Sequence, residues 1–162
     1  LVKQMHENET AATSDWLIGE GLFTDRVKGV ALRSMKAPGT AYDDPVLGRD
    51  PQPGHMDDFQ DLPHDAEHDN GGVHTNSGIP NRAFYLTATA LGGNAWERAG
   101  QIWFDTVTAK GVPKDVDFAG FAALTVKAAR KRYGKASEEA AAVVEGWAGV
   151  GIDVALAGAQ GR

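Results

Sequence analysis

The residues best placed to do chemistry stand in one stretch, Asp69-Asn70-Gly71-Gly72-Val73-His74-Thr75-Asn76-Ser77-Gly78-Ile79-Pro80-Asn81. Gly71-Gly72 lets the backbone turn sharply. A single histidine follows, with an acid five positions before it. A loop histidine paired with a carboxylate can donate a proton or stabilise an oxyanion, because the acid fixes the ring and favours its charged form. The same residues also fit a surface histidine near a helix start, capped locally by Asn76 or Ser77. Composition leaves both readings open.

The elements that must position this stretch differ in texture on its two sides. Up to about Asn76 the chain is irregular and rich in Asp, Gly, Pro and His, with 1–7 reading as the tail of a helix. Ser14 to Gly19 reads as a loop leading into a short apolar stretch that ends near Phe23. Residues 36–53 carry prolines 38, 45, 51 and 53 among several glycines, so loop with tight turns is expected there. A long stretch of that kind inside a compact domain is usually functional.

After it the pattern is helical. Pro80 suits a first helical turn, and a helix runs to Leu91 before Gly92-Gly93. Trp96, Ala99, Trp103 and Val107 make the apolar face of the next, ended by Gly111 and Pro113. Asp117 caps a third helix, with Phe118, Phe121, Ala122, Ala129 and Tyr133 inward, basic residues near its end and Gly134 closing it. Ser137 caps a fourth, with Val143, Val144, Trp147 and Val150 as its buried stripe. No period-2 pattern of useful length is present. The expected fold is mainly α. It is a single domain with a loop-rich segment over 1–76, a helical bundle over 77–152 and a fraying Ala/Gly-rich tail over 153–162.

Bulk properties bound the function. The 162 residues, 42% hydrophobic, suit one domain with a core. A net charge of −6 and the absence of a basic stripe argue against nucleic acid or an acidic membrane surface as a partner. The densest basic run, Lys127 to Lys135, reads as a solvated helix face. The lack of cysteine excludes a disulfide scaffold and a cysteine-based zinc or redox centre. No apolar run approaches the ~20 residues of a membrane span, and no signal peptide is visible. The chain begins at Leu1 rather than Met and is expected to be cut from something longer.

Asp69 to Leu86 is very similar to the DNGGVH-x-NSGIPN-x-AFYL motif of the thermolysin-like neutral metallopeptidases. Leu32-Arg33-Ser34-Met35 matches the LRSM element of that family, and Asp15-Trp16-Leu17-Ile18-Gly19 resembles its DW-x-IG, all in the family's order. The helical second half resembles the family's α-helical C-terminal domain. The resemblance implies a role for four residues. His74 would stabilise the oxyanion of the tetrahedral intermediate, and Asp69 would orient it. Arg33 would bind a substrate carbonyl on the leaving-group side, and Leu32 would wall the pocket that selects the side chain there. An arginine fork can grip a carbonyl and a buried carboxylate together. The implied activity is endopeptidase hydrolysis of a peptide or protein substrate by a zinc-bound water, before a bulky apolar residue, in a secreted enzyme. The alternative is a non-catalytic helical module that binds peptides or a partner domain.

The resemblance also implies what lies elsewhere. Such enzymes hold zinc on an H-E-x-x-H helix and an N-E-x-x-S-D element, and neither occurs here. The zinc-bearing N-terminal domain is therefore expected outside this chain, which alone is expected to be inactive. His6-Glu7-Asn8-Glu9-Thr10 opens like the zinc motif but has Thr10 in place of the second histidine. His64-Asp65-Ala66-Glu67-His68 satisfies H-x-x-E-H, but Pro63 before it and Asn70-Gly71-Gly72 after it leave too little helix to align both rings. Calcium is doubtful. Asp15 and Glu20 match acidic positions of calcium-binding members, but Lys3 and Leu17 replace two others, and an ammonium repels the ion.

Overall fold

The computed structural model describes residues 2–154; Leu1 and residues 155–162, on which most of the expected tail falls, lie outside the described residues. Contacts divide the chain into two compact units. One comprises Asp15–Arg82; the other comprises the segment up to Ser14 together with the chain from Ala83 onward.

The unit Asp15–Arg82 has little regular structure. β1 (Leu17–Ile18) pairs antiparallel with β2 (Arg33–Ser34), Ile18 opposite Arg33, and β3 (Asp43–Asp44) pairs with β4 (Gly48–Arg49). Two 3-10 turns follow, Met56–Asp58 and Ala66–His68, then the single turn α2 (Asp69–Gly72). So short a set of ladders leaves many backbone N–H groups to be satisfied otherwise. Buried carboxylates take that place. Asp44 accepts from the backbone N–H of Lys28 (2.9 Å), Val46 (2.8 Å) and Leu47 (3.0 Å). Asp50 accepts from Gly39, Ala41 and Gln52. Asn76 exchanges bonds with the Gln60 backbone, donating to its carbonyl at 2.9 Å and accepting from its N–H at 3.0 Å. Apart from the short β3–β4 ladder and the 3-10 turn at Met56–Asp58, the stretch around residues 36–60 is thus loop, as its prolines imply, but loop with an internal frame.

The second unit is helical. It holds α1 (Val2–Glu7), the part of α3 (Gly78–Leu91) from Ala83 onward, α4 (Ala99–Val107), α5 (Phe118–Tyr133) and α6 (Glu138–Ala148). The caps read from the sequence are present. Asp117 accepts from Gly120 N at 2.7 Å, Ser137 accepts from Ala140 N at 3.1 Å, and Gly134 ends α5 at positive φ. Trp147 is wholly buried; it stacks on Trp103, meets Phe121 edge-on, and donates its indole N–H to Thr125 Oγ1 at 2.9 Å. Gly146 lets α6 approach α3 so closely that a Cβ there would collide with the Thr87 hydroxyl.

One helix face differs from expectation. On α4 the buried residues are Ala99, Gly100, Ile102 and Thr106, whereas Val107 is 61% exposed. The expected face of Trp96, Ala99, Trp103 and Val107 is rotated toward Ile102 and Thr106. The physical reason is that Thr106 returns its hydroxyl to the Ile102 carbonyl at 2.8 Å. With its polar atom satisfied within the helix, a threonine can be buried as readily as a small apolar residue. The helix also stops at Val107, short of Gly111. No helix among the described residues is long and apolar enough to cross a membrane.

Candidate active site

The site is built from a run of four left-handed residues. Asp69, Asn70, Gly71 and Gly72 have φ of 57°, 49°, 84° and 73°. Glycine takes this region freely, and Asp and Asn enter it more readily than other side chains, so D-N-G-G is a sequence that can make the turn. The turn swings the Asp69 carboxylate onto the residues that follow. Asp69 Oδ2 accepts from His74 N (2.7 Å) and Thr75 N (3.0 Å), while Oδ1 meets His74 Nδ1 in a close hydrogen bond. The bond from the His74 ring holds the Asp69 carboxyl below the ordinary carboxylate range, against the opposing pull of desolvation, and the two backbone N–H groups add to it. Facing a carboxylate, Nδ1 must be the donor. The Nε2 edge of the ring carries no hydrogen bond among the described residues, and the side chain is 77% exposed. In its cationic form such a ring offers an oriented N–H to an incoming negative oxygen.

Arg33 lies on β2, half-buried. Its Nη1 donates to the His74 carbonyl at 3.0 Å and to Ser77 Oγ at 2.9 Å, and the Ser77 hydroxyl donates to the same carbonyl at 2.7 Å. The arginine is therefore tied to the backbone of the very residue whose ring Asp69 orients. Among the described residues Arg33 makes no ion pair, and its other N–H groups have no bond. Leu32, 42% exposed, is pinned through its N–H to the Ile18 carbonyl at 3.0 Å. Leu32, Arg33 and His74, with Phe23, Tyr42 and Gln52, line one cleft of about 360 Å³.

All four residues singled out in the sequence thus meet in the unit Asp15–Arg82. Sequence reading missed Gln52 and Ser77 as members of the site. Ser77 was visible only as a local cap, and Gln52 lies in the loop over residues 36–53, where no motif marks it. A larger cleft of about 700 Å³, between α4 and α5, is lined by Lys110, Lys127, Lys131 and the Asp105–Arg132 pair and holds none of these residues.

The histidines of the inverted zinc motif do not form a metal centre. Residues 66–68 are a 3-10 turn, not an α-helix. His68 Nδ1 is bonded to Asp65 Oδ1 at 2.7 Å, and the His64 ring packs over Gly71, where a Cβ would lie 2.7 Å from His64 Cε1. No group of three His, Asp or Glu side chains among the described residues could hold a metal ion. The described residues therefore do not fit zinc.

Fold and site together define a mainly α domain in which a loop-borne imidazole, held by a carboxylate, and an arginine line one cleft. Comparison with known proteins makes the class specific. Residues 1–152 match the family model described as thermolysin metallopeptidase, alpha-helical domain. The chain is 52% identical over 154 residues to Protease PrtS of Photorhabdus sp. (strain Az29), covering 95% of this chain and 40% of that protein. It is 51% identical over 154 residues to an extracellular metalloprotease of Pectobacterium carotovorum subsp. carotovorum, covering 95% of this chain and 43% of that protein. It is also similar to the solved precursor of protealysin, a metalloproteinase from Serratia proteamaculans, with 58% identity and a TM-score of 0.86, over 93% of this chain and 45% of that one. The chain belongs to the thermolysin metallopeptidases, as their α-helical domain. It spans about two-fifths of the length of the curated relatives it matches.

Proposed function

We propose that this chain is the C-terminal, oxyanion-stabilising part of a zinc endopeptidase. His74 supplies the N–H that strengthens its bond as negative charge develops on the scissile carbonyl oxygen. Asp69 holds that ring in the donor orientation. Arg33 offers its unused N–H groups to a substrate carbonyl on the leaving-group side, and Leu32 walls the adjoining pocket for a bulky apolar side chain. The observation that carries this reading is the outward-facing imidazole, locked by Asp69, on the same cleft wall as an arginine that no carboxylate neutralises among the described residues. The names of relatives support it: three are called metalloproteases or metalloproteinases.

Zinc, its ligands and the general base are assigned to an N-terminal domain outside this chain, and the isolated chain is inactive in this reading. Calcium near Lys3 is disfavoured, because an ammonium repels the ion. The parent enzyme is secreted, a reading supported by relatives named as extracellular. The deciding experiment replaces His74 with alanine in the whole enzyme and follows hydrolysis of an internally quenched peptide. Loss of one oxyanion donor costs about 2.7–4 kcal/mol, or roughly 10²–10³ in kcat. Unchanged kcat in a folded His74→Ala enzyme would refute the assignment.

A further inference from the structure

Gln52 is almost wholly buried, 5% exposed, on the wall of the cleft that Arg33 and His74 share. Its Nε2 donates to the His74 carbonyl at 2.8 Å and to Ser77 Oγ at 2.9 Å. These are the two atoms that receive Arg33 Nη1. The amide cannot be turned over without loss. Reversed, it would set Oε1 against a carbonyl oxygen that has no proton to share.

The other end of the amide reveals what the residue is for. Gln52 Oε1 is buried with no hydrogen-bond partner among the described residues. A buried unpaired acceptor is unfavourable, and a leucine of similar size would avoid it. The glutamine's donor contact is what sets it apart from such a residue. The residue is also held stiffly from behind. Asp50 Oδ1 accepts from Gln52 N at 3.2 Å, Asp50 Oδ2 accepts from Gly39 N and Ala41 N, and Gln60 Nε2 donates to the Pro51 carbonyl at 3.0 Å. A donor mounted on so rigid a frame is suited to fixing position.

The geometry points to Gln52 as a positioning residue that sets the spacing of the Arg33 guanidinium and the His74 imidazole, by clamping the one carbonyl through which the two are joined. Asp69 fixes the N–H side of His74, and Gln52, with Ser77, fixes its C=O side, so both peptide planes flanking the ring are held. This inference rests on the peptidase reading of His74 for its kinetic consequence, but its geometric consequence is independent of that reading.

The test uses Gln52→Leu in the whole enzyme, with Gln52→Met beside it as a second, unbranched replacement. Both remove the donor and leave the volume nearly unchanged. We expect kcat/KM to fall about tenfold, mainly through kcat, because a misplaced oxyanion donor acts on the transition state. In a His74→Ala background the same substitutions are expected to cost clearly less than in the wild type, since the backbone carbonyl and its bond to Arg33 survive and only the Arg33 half of the positioning is left to lose. A merely structural glutamine would give equal losses in both backgrounds, and that result overturns the proposal. In parallel, the Arg33 guanidinium and His74 ring signals are followed by ¹⁵N-edited NMR. Both should shift in the Gln52 variants; signals that stay in place overturn the proposal whatever the kinetics. If His74→Ala alone leaves hydrolysis intact, the peptidase role of His74 fails instead, and the NMR signals still decide whether Gln52 sets the two groups.

Discussion

Arg33→Lys separates the two tasks that the structure gives to one side chain. The guanidinium spends Nη1 inward, on the His74 carbonyl and Ser77 Oγ, and has its remaining N–H groups for the cleft. An ammonium is a single point of donation. It can replace Nη1 or it can face the cleft, but it cannot span both. The inward acceptors are near and already ordered by Gln52 and Ser77, so the lysine is expected to settle there. Stability should then change little, while the cleft loses its charged donor. A hydrogen bond to a charged group is worth about 1.5–3 kcal/mol, which corresponds to a roughly 10- to 150-fold loss in kcat/KM for peptide hydrolysis. The assay is steady-state cleavage by the whole enzyme beside its thermal midpoint. Full activity in Arg33→Lys would show that the outer N–H groups touch no substrate. A lost midpoint accounting for all of the lost activity would show that the arginine's work is structural.

Other perturbations address the frame. Trp147→Ala empties the middle of the helical unit and takes the indole donor from Thr125, so about 3–5 kcal/mol of stability should be lost, measured by denaturant unfolding; a loss below about 1 kcal/mol would mean that the aromatic cluster is not the core. Asp44, Asp69 and Asp105 have carboxyls held below the ordinary value of 3.8, chiefly by the Lys28 backbone N–H, the His74 ring and the Arg132 guanidinium respectively. Because the folded-state values are the lower ones, the stability they contribute is present above the ordinary value and drains away as pH falls through the folded values. The thermal midpoint should therefore drop steeply only below about pH 4, and Asp44→Asn should flatten that limb; a midpoint that falls equally between pH 7 and pH 5 would point to other groups. A chelator should leave the unfolding midpoint of the 162-residue chain unchanged, since no three ligands among its described residues converge; a fall would reveal a metal held within it.

Local sequence determined those parts in which neighbours along the chain decide the geometry. Asp117 and Ser137 reach N–H groups only three residues on, and D-N-G-G places four left-handed residues in a row, so the helix starts and the turn that binds Asp69 to His74 were legible. Tertiary structure decided the rest. Whether Thr106 or Val107 faces the interior of α4 depends on what packs there, and a threonine that satisfies its own hydroxyl is invisible to a count of apolar residues. The clamp on the His74 carbonyl joins residues 22 and 41 positions apart, Gln52 and Arg33, brought together by a loop whose turns follow no period. Hydrogen bonds within a turn follow from backbone dihedrals and can be read from residue types. Bonds that close long irregular loops depend on the path of the folded chain, and no spacing in the sequence records that path.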